Sequence, residues 1–242
     1  ATLPASWHQC RSVPIDKPGS TAVGARSSRL IHVFGGMPGG YFRGLQRDHP
    51  LPAQPSWAFG SLPGLSREGA ILNQLACAWR AREHQCDLST TLFDATNAFA
   101  STSVPALEEA VRTWFRSDHP AKCTTAPMVL DYVQWAHSTI DAANDQQAEF
   151  RIRTGLMGHP LAPSLFLMDY NRAIGEWNST ANVTEPMAAC MITKCPITHT
   201  VHDLSLSTYV DGVAKAIVST DHCTTTAQHE HFCSTATQTA RK

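Results

Sequence analysis

The chain has 242 residues, 43% hydrophobic and 16% charged, which is enough apolar material to bury a core and argues against gross disorder. A net charge of −1 and a pI of about 6.9 leave no global electrostatic footprint for nucleic acid, so any such binding must come from a local patch. No stretch reaches the length of a membrane-spanning helix and no charged start precedes an apolar run, so no membrane partner is expected. Eight cysteines (Cys10, Cys77, Cys86, Cys123, Cys190, Cys195, Cys223 and Cys233) form no CxxC pair. They read as free buried thiols of a reducing, intracellular setting, nucleus or cytoplasm. The chain begins with Ala1 rather than Met, as expected of a fragment.

Residues 1–28 are rich in Pro, Ser and Gly. Val13 to Gly19 reads as a short strand entering a turn, and Arg29 to Phe34 as a second strand. Together they predict a loose hairpin with Lys17 and Arg29 on its two arms. Gly and Pro are dense over 35–65, so regular structure is expected to break there. A helix is predicted over 66–85, capped by Ser66. Its Ile71, Leu75 and Trp79, with Leu72 and Ala76 beside them, are expected to form a core stripe. Next comes Leu92-Phe93-Asp94-Ala95-Thr96-Asn97-Ala98-Phe99, a strand that delivers Asp94 to its end with an aromatic five residues on. By itself this is an ordinary turn or cap aspartate.

Ser103 caps a further predicted helix with Pro105 in its first turn and Leu107, Val111 and Trp114 on one face. A helix over 127–143 aligns Val129, Val133, Ala136 and Ile140. Glu149 to Arg153 alternates like a short strand. Pro163 opens a helix with Phe166, Tyr170, Ile174 and Trp177 in register, and 178–200 reads as irregular. Over 204–218 two apolar runs flank Asp211-Gly212, a strong two-residue hairpin signal that sets Asp211 at the tip. The polar tail carries His222, Cys223, His229, His231 and Cys233, which could ligate zinc, although their spacing matches none of the usual pairs.

The order of these pieces carries more than any one of them. Lys17-Pro18-Gly19 followed by Arg29-Leu30-Ile31 resembles the KPG and RPI segment of reverse transcriptase fingers. Phe59-Gly60 with Ser66 is similar to the stretch that precedes the next helix in that family. Asp94-Ala95-Thr96-Asn97-Ala98-Phe99 resembles motif A, D-x-x-x-A-F. Gly158-His159-Pro160-Leu161-Ala162-Pro163-Ser164-Leu165-Phe166 resembles motif B, and Tyr209-Val210-Asp211-Gly212 resembles motif C, [FY]-x-D-D. The chain thus resembles, from about residue 12 to 220, a reverse transcriptase (RNA-directed DNA polymerase) domain of the non-LTR retrotransposon type, in a style similar to dinoflagellate sequences.

That resemblance implies an α+β palm-and-fingers fold, with a small antiparallel sheet packed on helices and motif C as a β-hairpin. It divides the chain into a fingers-like segment 1–87, a palm-like segment 88–220 and a polar, disordered tail 221–242. It implies template-directed nucleotidyl transfer from deoxynucleoside triphosphates on an RNA or DNA template-primer. Asp94 and Asp211 would hold Mg2+ or Mn2+ as catalytic metal ligands, because hard cations take carboxylate oxygens. Lys17, Arg29, Ala95, Phe99, Gly158 and Pro163 would bind the nucleotide, Phe99 as the gate against a ribose 2′-hydroxyl. The departures are equally specific. Gly212 stands for the second Asp of motif C, Met157 for the Gln of motif B, His159 for its Asp, and Ala100 for an Asp after Phe99. The thumb is lacking. Loss of one carboxylate weakens a site for two divalent ions, so impaired catalysis, a non-catalytic retroelement remnant and a nucleic-acid- or zinc-binding scaffold are the alternatives.

Overall fold

A computed structural model describes residues 3–17, 19, 28–95, 98–116, 125–141, 147–155, 157–181 and 191–239, with the backbone alone at 100, 181, 222–223 and 237–239. In chain order the elements are β1 (Gln9–Asp16), β2 (Ser28–Phe34), α1 (Gly36–Asp48), α2 (Arg67–Glu83), β3 (Asp87–Asp94), α3 (Ala98–Ser101), α4 (Val104–Trp114), α5 (Thr125–Trp135), β4 (His137–Asp141), β5 (Gln147–Arg151), α6 (Ala162–Ala181), β6 (Ile192–Lys194), β7 (Val201–Asp203), β8 (Leu206–Tyr209), β9 (Gly212–Ser219) and α7 (His222–Thr239). They form two compact units, Ala1–Pro52 with Asn97–Asp169, and Ala53–Thr96 with Tyr170–Lys242. The sequence border near residue 87 corresponds to neither unit's limit. Residue 87 instead opens β3, which pairs along its whole length with β9 inside the second unit.

In the first unit β1 and β2 make the expected antiparallel hairpin, from Cys10 opposite Phe34 to Asp16 opposite Ser28. The strand β4 adds parallel to β1, and β5 closes the sheet in the order β2-β1-β4-β5. Helix α4 follows its sequence signals: the Ser103 hydroxyl accepts from the Ala106 N–H at 3.4 Å, and Leu107, Val111 and Trp114 are buried. Two expectations are corrected. The 35–65 stretch contains helix α1, because Pro38 falls in the first turn, where no amide partner is lost, and the fully buried Phe42 anchors the helix in the core. The helix predicted over 127–143 ends at Trp135, and Ser138, Thr139 and Ile140 belong to β4. β-Branched side chains fit a pleated strand, and the open edge of β1 supplies its hydrogen bonds.

An aromatic box closes this core. The His159 ring stacks on Tyr132 at 4.7 Å and meets the edges of Phe34 and Phe42 at 4.8 and 4.6 Å. The Leu161 N–H donates to His159 Nδ1 at 3.1 Å, so that nitrogen is unprotonated and the imidazole is neutral. Burial pushes its pKa down to about 3, and burial also lowers that of His32. The unfolded chain therefore binds more protons than the folded one below the ordinary histidine pKa. The stability contribution is complete above that value and is lost as pH falls toward 3. Unfolding free energies from urea titrations run from neutral pH downward are expected to fall by up to about 1.4 kcal/mol per pH unit from His159. His159→Phe, which keeps the stacking, is expected to flatten that slope.

In the second unit the sheet runs β3-β9-β8, antiparallel throughout, and β6 pairs with β7. Alternation along β9 sends its side chains to two faces. Ala216 and Val218 pack with Cys77 and Ala81 of α2, whereas Val213 and Ile217 pack with Phe232 of α7 and Trp177 of α6. Lys215 is buried on the latter face, where its Nζ donates to Asn178 Oδ1 at 2.8 Å and Ser205 Oγ at 2.9 Å. The tail is corrected here, since 222–239 is helical and Phe232 fixes it to the sheet. The α2 stripe is corrected too: Ile71, Leu72, Leu75 and Trp79 are exposed. The helix turns Asn73 and Gln74 inward instead, because the Leu204 and Leu206 carbonyls and the Ser207 hydroxyl need donors that an apolar face cannot supply.

Candidate active site

Strand β3 ends on Asp94, directly opposite Gly212 at the start of β9. Tyr209 also pairs with Gly212, so Val210 and Asp211 are the two turn residues of the β8–β9 hairpin. Opposed residues in an antiparallel pair have Cα atoms about 4.5–5.5 Å apart. Asp94 and Asp211, remote in sequence, are therefore neighbours at one end of the same sheet. Asp94 is exposed and Asp211 half-buried. The expected hairpin turn, Asp211-Gly212, is displaced by one residue, because Gly212 is taken up by pairing with both Tyr209 and Asp94.

The Asp211 backbone is held firmly. Its carbonyl accepts from the Tyr170 hydroxyl at 2.7 Å and from the Ala95 N–H at 3.1 Å. Burial, then the carboxylates of Asp211 and Asp94, keep that hydroxyl protonated well above the ordinary phenol range, so both carboxylates are felt at one oxygen. Val210 has φ +57°, a left-handed conformation that costs a β-branched residue roughly 1–3 kcal/mol. A clasp imposes it: Phe59 N–H donates to the Thr208 carbonyl and Thr208 N–H to the Trp57 carbonyl, both at 2.9 Å. Gly60 lies so close that a Cβ there would overlap the Val210 amide nitrogen. Tyr170 and Gly60 are the residues that sequence reasoning missed as parts of the site. A phenol within the otherwise apolar stripe of α6 was the available signal, since a buried tyrosine hydroxyl needs a partner.

The structure brings Asp94, Ala95 and Asp211 together in the second unit, whereas Lys17, Arg29, Phe99, Gly158 and Pro163 belong to the first. There, Lys17 follows β1 and is partly exposed, and Arg29 is exposed opposite Ile15, so they occupy the arms of the hairpin. Phe99 is half-buried with its ring 5.0 Å from Phe166. Gly158 has φ +101°, and a Cβ on it would overlap the His32 carbonyl. The neighbouring Met157 carbonyl accepts from His32 N–H at 2.8 Å, which stitches this turn to β2. Pro163 is exposed in the first turn of α6. Pro18, Thr96 and Asn97 lie outside the described residues.

Among the described residues no group of three His, Cys, Asp or Glu could hold a metal ion. Of the tail residues that could ligate zinc, only His229, His231 and Cys233 have described side chains. Neighbours two apart on a helix do not face each other, which separates His229 from His231 and His231 from Cys233, and His229 Nδ1 is engaged by Thr91 Oγ1 at 2.8 Å. His222 and Cys223 side chains lie outside the described residues. A pair of accessible carboxylates does suit Mg2+, which keeps several waters and takes one or two carboxylates together with substrate phosphates. No described helix is long and apolar enough to cross a membrane.

No family model matches the chain, and no curated protein matches it in sequence. Solved structures do. Apo telomerase from Candida tropicalis truncated from its C-terminal domain superposes with a TM-score of 0.60 over 96% of this chain at 12% identity. Apo telomerase from the same organism gives 0.58 over 93% at 10% identity. Telomerase from Candida tropicalis in complex with the TWJ fragment of telomeric RNA gives 0.61 over 96% at 10% identity. The fold is that of a reverse-transcriptase-like polymerase. At these identities the likeness is one of fold, and the chain spans 47%, 41% and 39% of those three telomerase chains.

Proposed function

We propose that the chain is a reverse transcriptase domain of the non-LTR retroelement type, acting inside the cell on an RNA or DNA template-primer with deoxynucleoside triphosphates. The observation that carries this reading is the convergence of Asp94 and Asp211 on one sheet end. The telomerase–RNA neighbour supports nucleic acid as the partner. Asp94 and Asp211 would supply oxygens to Mg2+ or Mn2+, and Tyr170 and the Ala95 N–H fix where the Asp211 carboxylate emerges. A bound ion of this kind supplies charge neutralisation at the phosphates and a more acidic primer 3′-hydroxyl. Lys17, Arg29, Ala95, Phe99, Gly158 and Pro163 keep the nucleotide-binding roles that the family resemblance implies. Gly212 leaves the metal site one carboxylate short, so turnover is slow.

That same glycine favours a second reading, a remnant that binds template-primer without extending it. Primer extension on an RNA template with Mn2+, the more permissive ion, separates the two. Slow extension abolished by Asp94→Asn and by Asp211→Asn is the expected result. Template-primer binding with no extension under any metal assigns the remnant role instead.

A further inference from the structure

The exposed side of α2 carries a pattern that its internal packing does not use. Ile71, Leu72, Leu75 and Trp79 are 50%, 64%, 60% and 59% exposed, and large apolar side chains grouped in the open mark an interaction face. Positions 68, 72, 75, 79 and 82 follow the alternating four-three spacing of a heptad seam. Leu72, Leu75 and Trp79 form its middle, with Glu68 at one end and Arg82 at the other, all of them exposed. Two such seams packed antiparallel, with a two-fold axis through Leu75, set Ile71 against Trp79 and Glu68 against Arg82 of the other copy. The same axis sets Arg67 against Glu83. Parallel packing in register would instead set Glu68 against Glu68 and Arg82 against Arg82, which like-charge repulsion disfavours. The Arg67–Glu68 contact is long, 3.9 Å, and exposed, and the Glu68 carboxylate is also hydrogen-bonded by the Ser66 side chain and its own backbone N–H, solvent-exposed contacts that a partner's Arg82 would have to outcompete.

We propose that this face of α2 is a contact between two copies of the chain, antiparallel about Leu75. Charge complementarity of the helix with itself identifies the occupant. An unrelated partner would have no reason to match the spacing of Arg67, Glu68, Arg82 and Glu83 about a single residue.

Sedimentation of the 242-residue chain from low to high micromolar concentration tests this. A monomer–dimer equilibrium is expected, with Leu75→Glu monomeric throughout. Each of Glu68→Arg and Arg82→Glu should weaken the dimer by about tenfold, and the Glu68→Arg/Arg82→Glu double variant should restore it. These side chains are exposed, so circular dichroism should show every variant folded. A monomer at all concentrations assigns the face to a different occupant and overturns the proposal. So does a dimer indifferent to Leu75→Glu, or a double variant no tighter than the singles.

Discussion

The Gly212→Asp variant is expected to bind Mn2+ on the order of 10- to 100-fold more tightly than the parent chain and to extend primers faster. Residue 212 faces Asp94 across the β3–β9 pair, and directly opposed side chains lie on the same face of a sheet. A new carboxylate at 212 therefore stands beside Asp94. The backbone accepts it: a Cβ at 212 meets only the Tyr209 carbonyl oxygen, at 3.5 Å, an ordinary contact. Without metal, the added like charge should lower stability by about 0.2–1 kcal/mol. With Mn2+ that loss should reverse, because the ion binds only the folded chain. Calorimetric titration and thermal melts with and without Mn2+ check both signs. Gly212→Asn, of the same shape but uncharged, should reproduce neither effect. If Gly212→Asp behaves like Gly212→Asn, the two aspartates are not a metal site.

Gly60→Ala is expected to destabilise the chain by roughly 3–5 kcal/mol, at the severe end for a single methyl. The added Cβ would overlap the Val210 amide nitrogen and come within 2.9 Å of its Cα. Both are backbone atoms of a turn already held at φ +57°, so no side chain can swing aside. The turn must shift, and with it go the Phe59–Thr208 and Thr208–Trp57 hydrogen bonds and the position of Asp211. Urea unfolding measures the stability loss. In the fraction that remains folded, weaker Mn2+ binding than in the parent is expected, because the clasp and the carboxylates share one turn.

Much of this arrangement is legible in the sequence, for identifiable reasons. The β1–β2 hairpin, α4 and β3 with its terminal Asp94 follow from local periodicity and caps. The meeting of Asp94 with Asp211 followed from the order of the motifs. What was illegible is where tertiary needs outweigh local pattern. α1 hides behind its glycines because Phe42 buries regardless of helix propensity. The α2 stripe points outward because Asn73 and Gln74 answer backbone and hydroxyl groups of the 204–207 segment. The hairpin turn moves by one residue because Gly212 has two strand partners to satisfy, a demand invisible from Asp-Gly alone.

Each compact unit draws on two stretches of chain that are separated by a segment of the other unit. A single cut between Cys77 and Leu165 therefore leaves neither half with a complete hydrophobic interior. Truncations made near residue 87 to isolate an N-terminal lobe should yield insoluble or protease-sensitive material. A separable first lobe would instead require splicing residue 52 directly to residue 97 through a short linker.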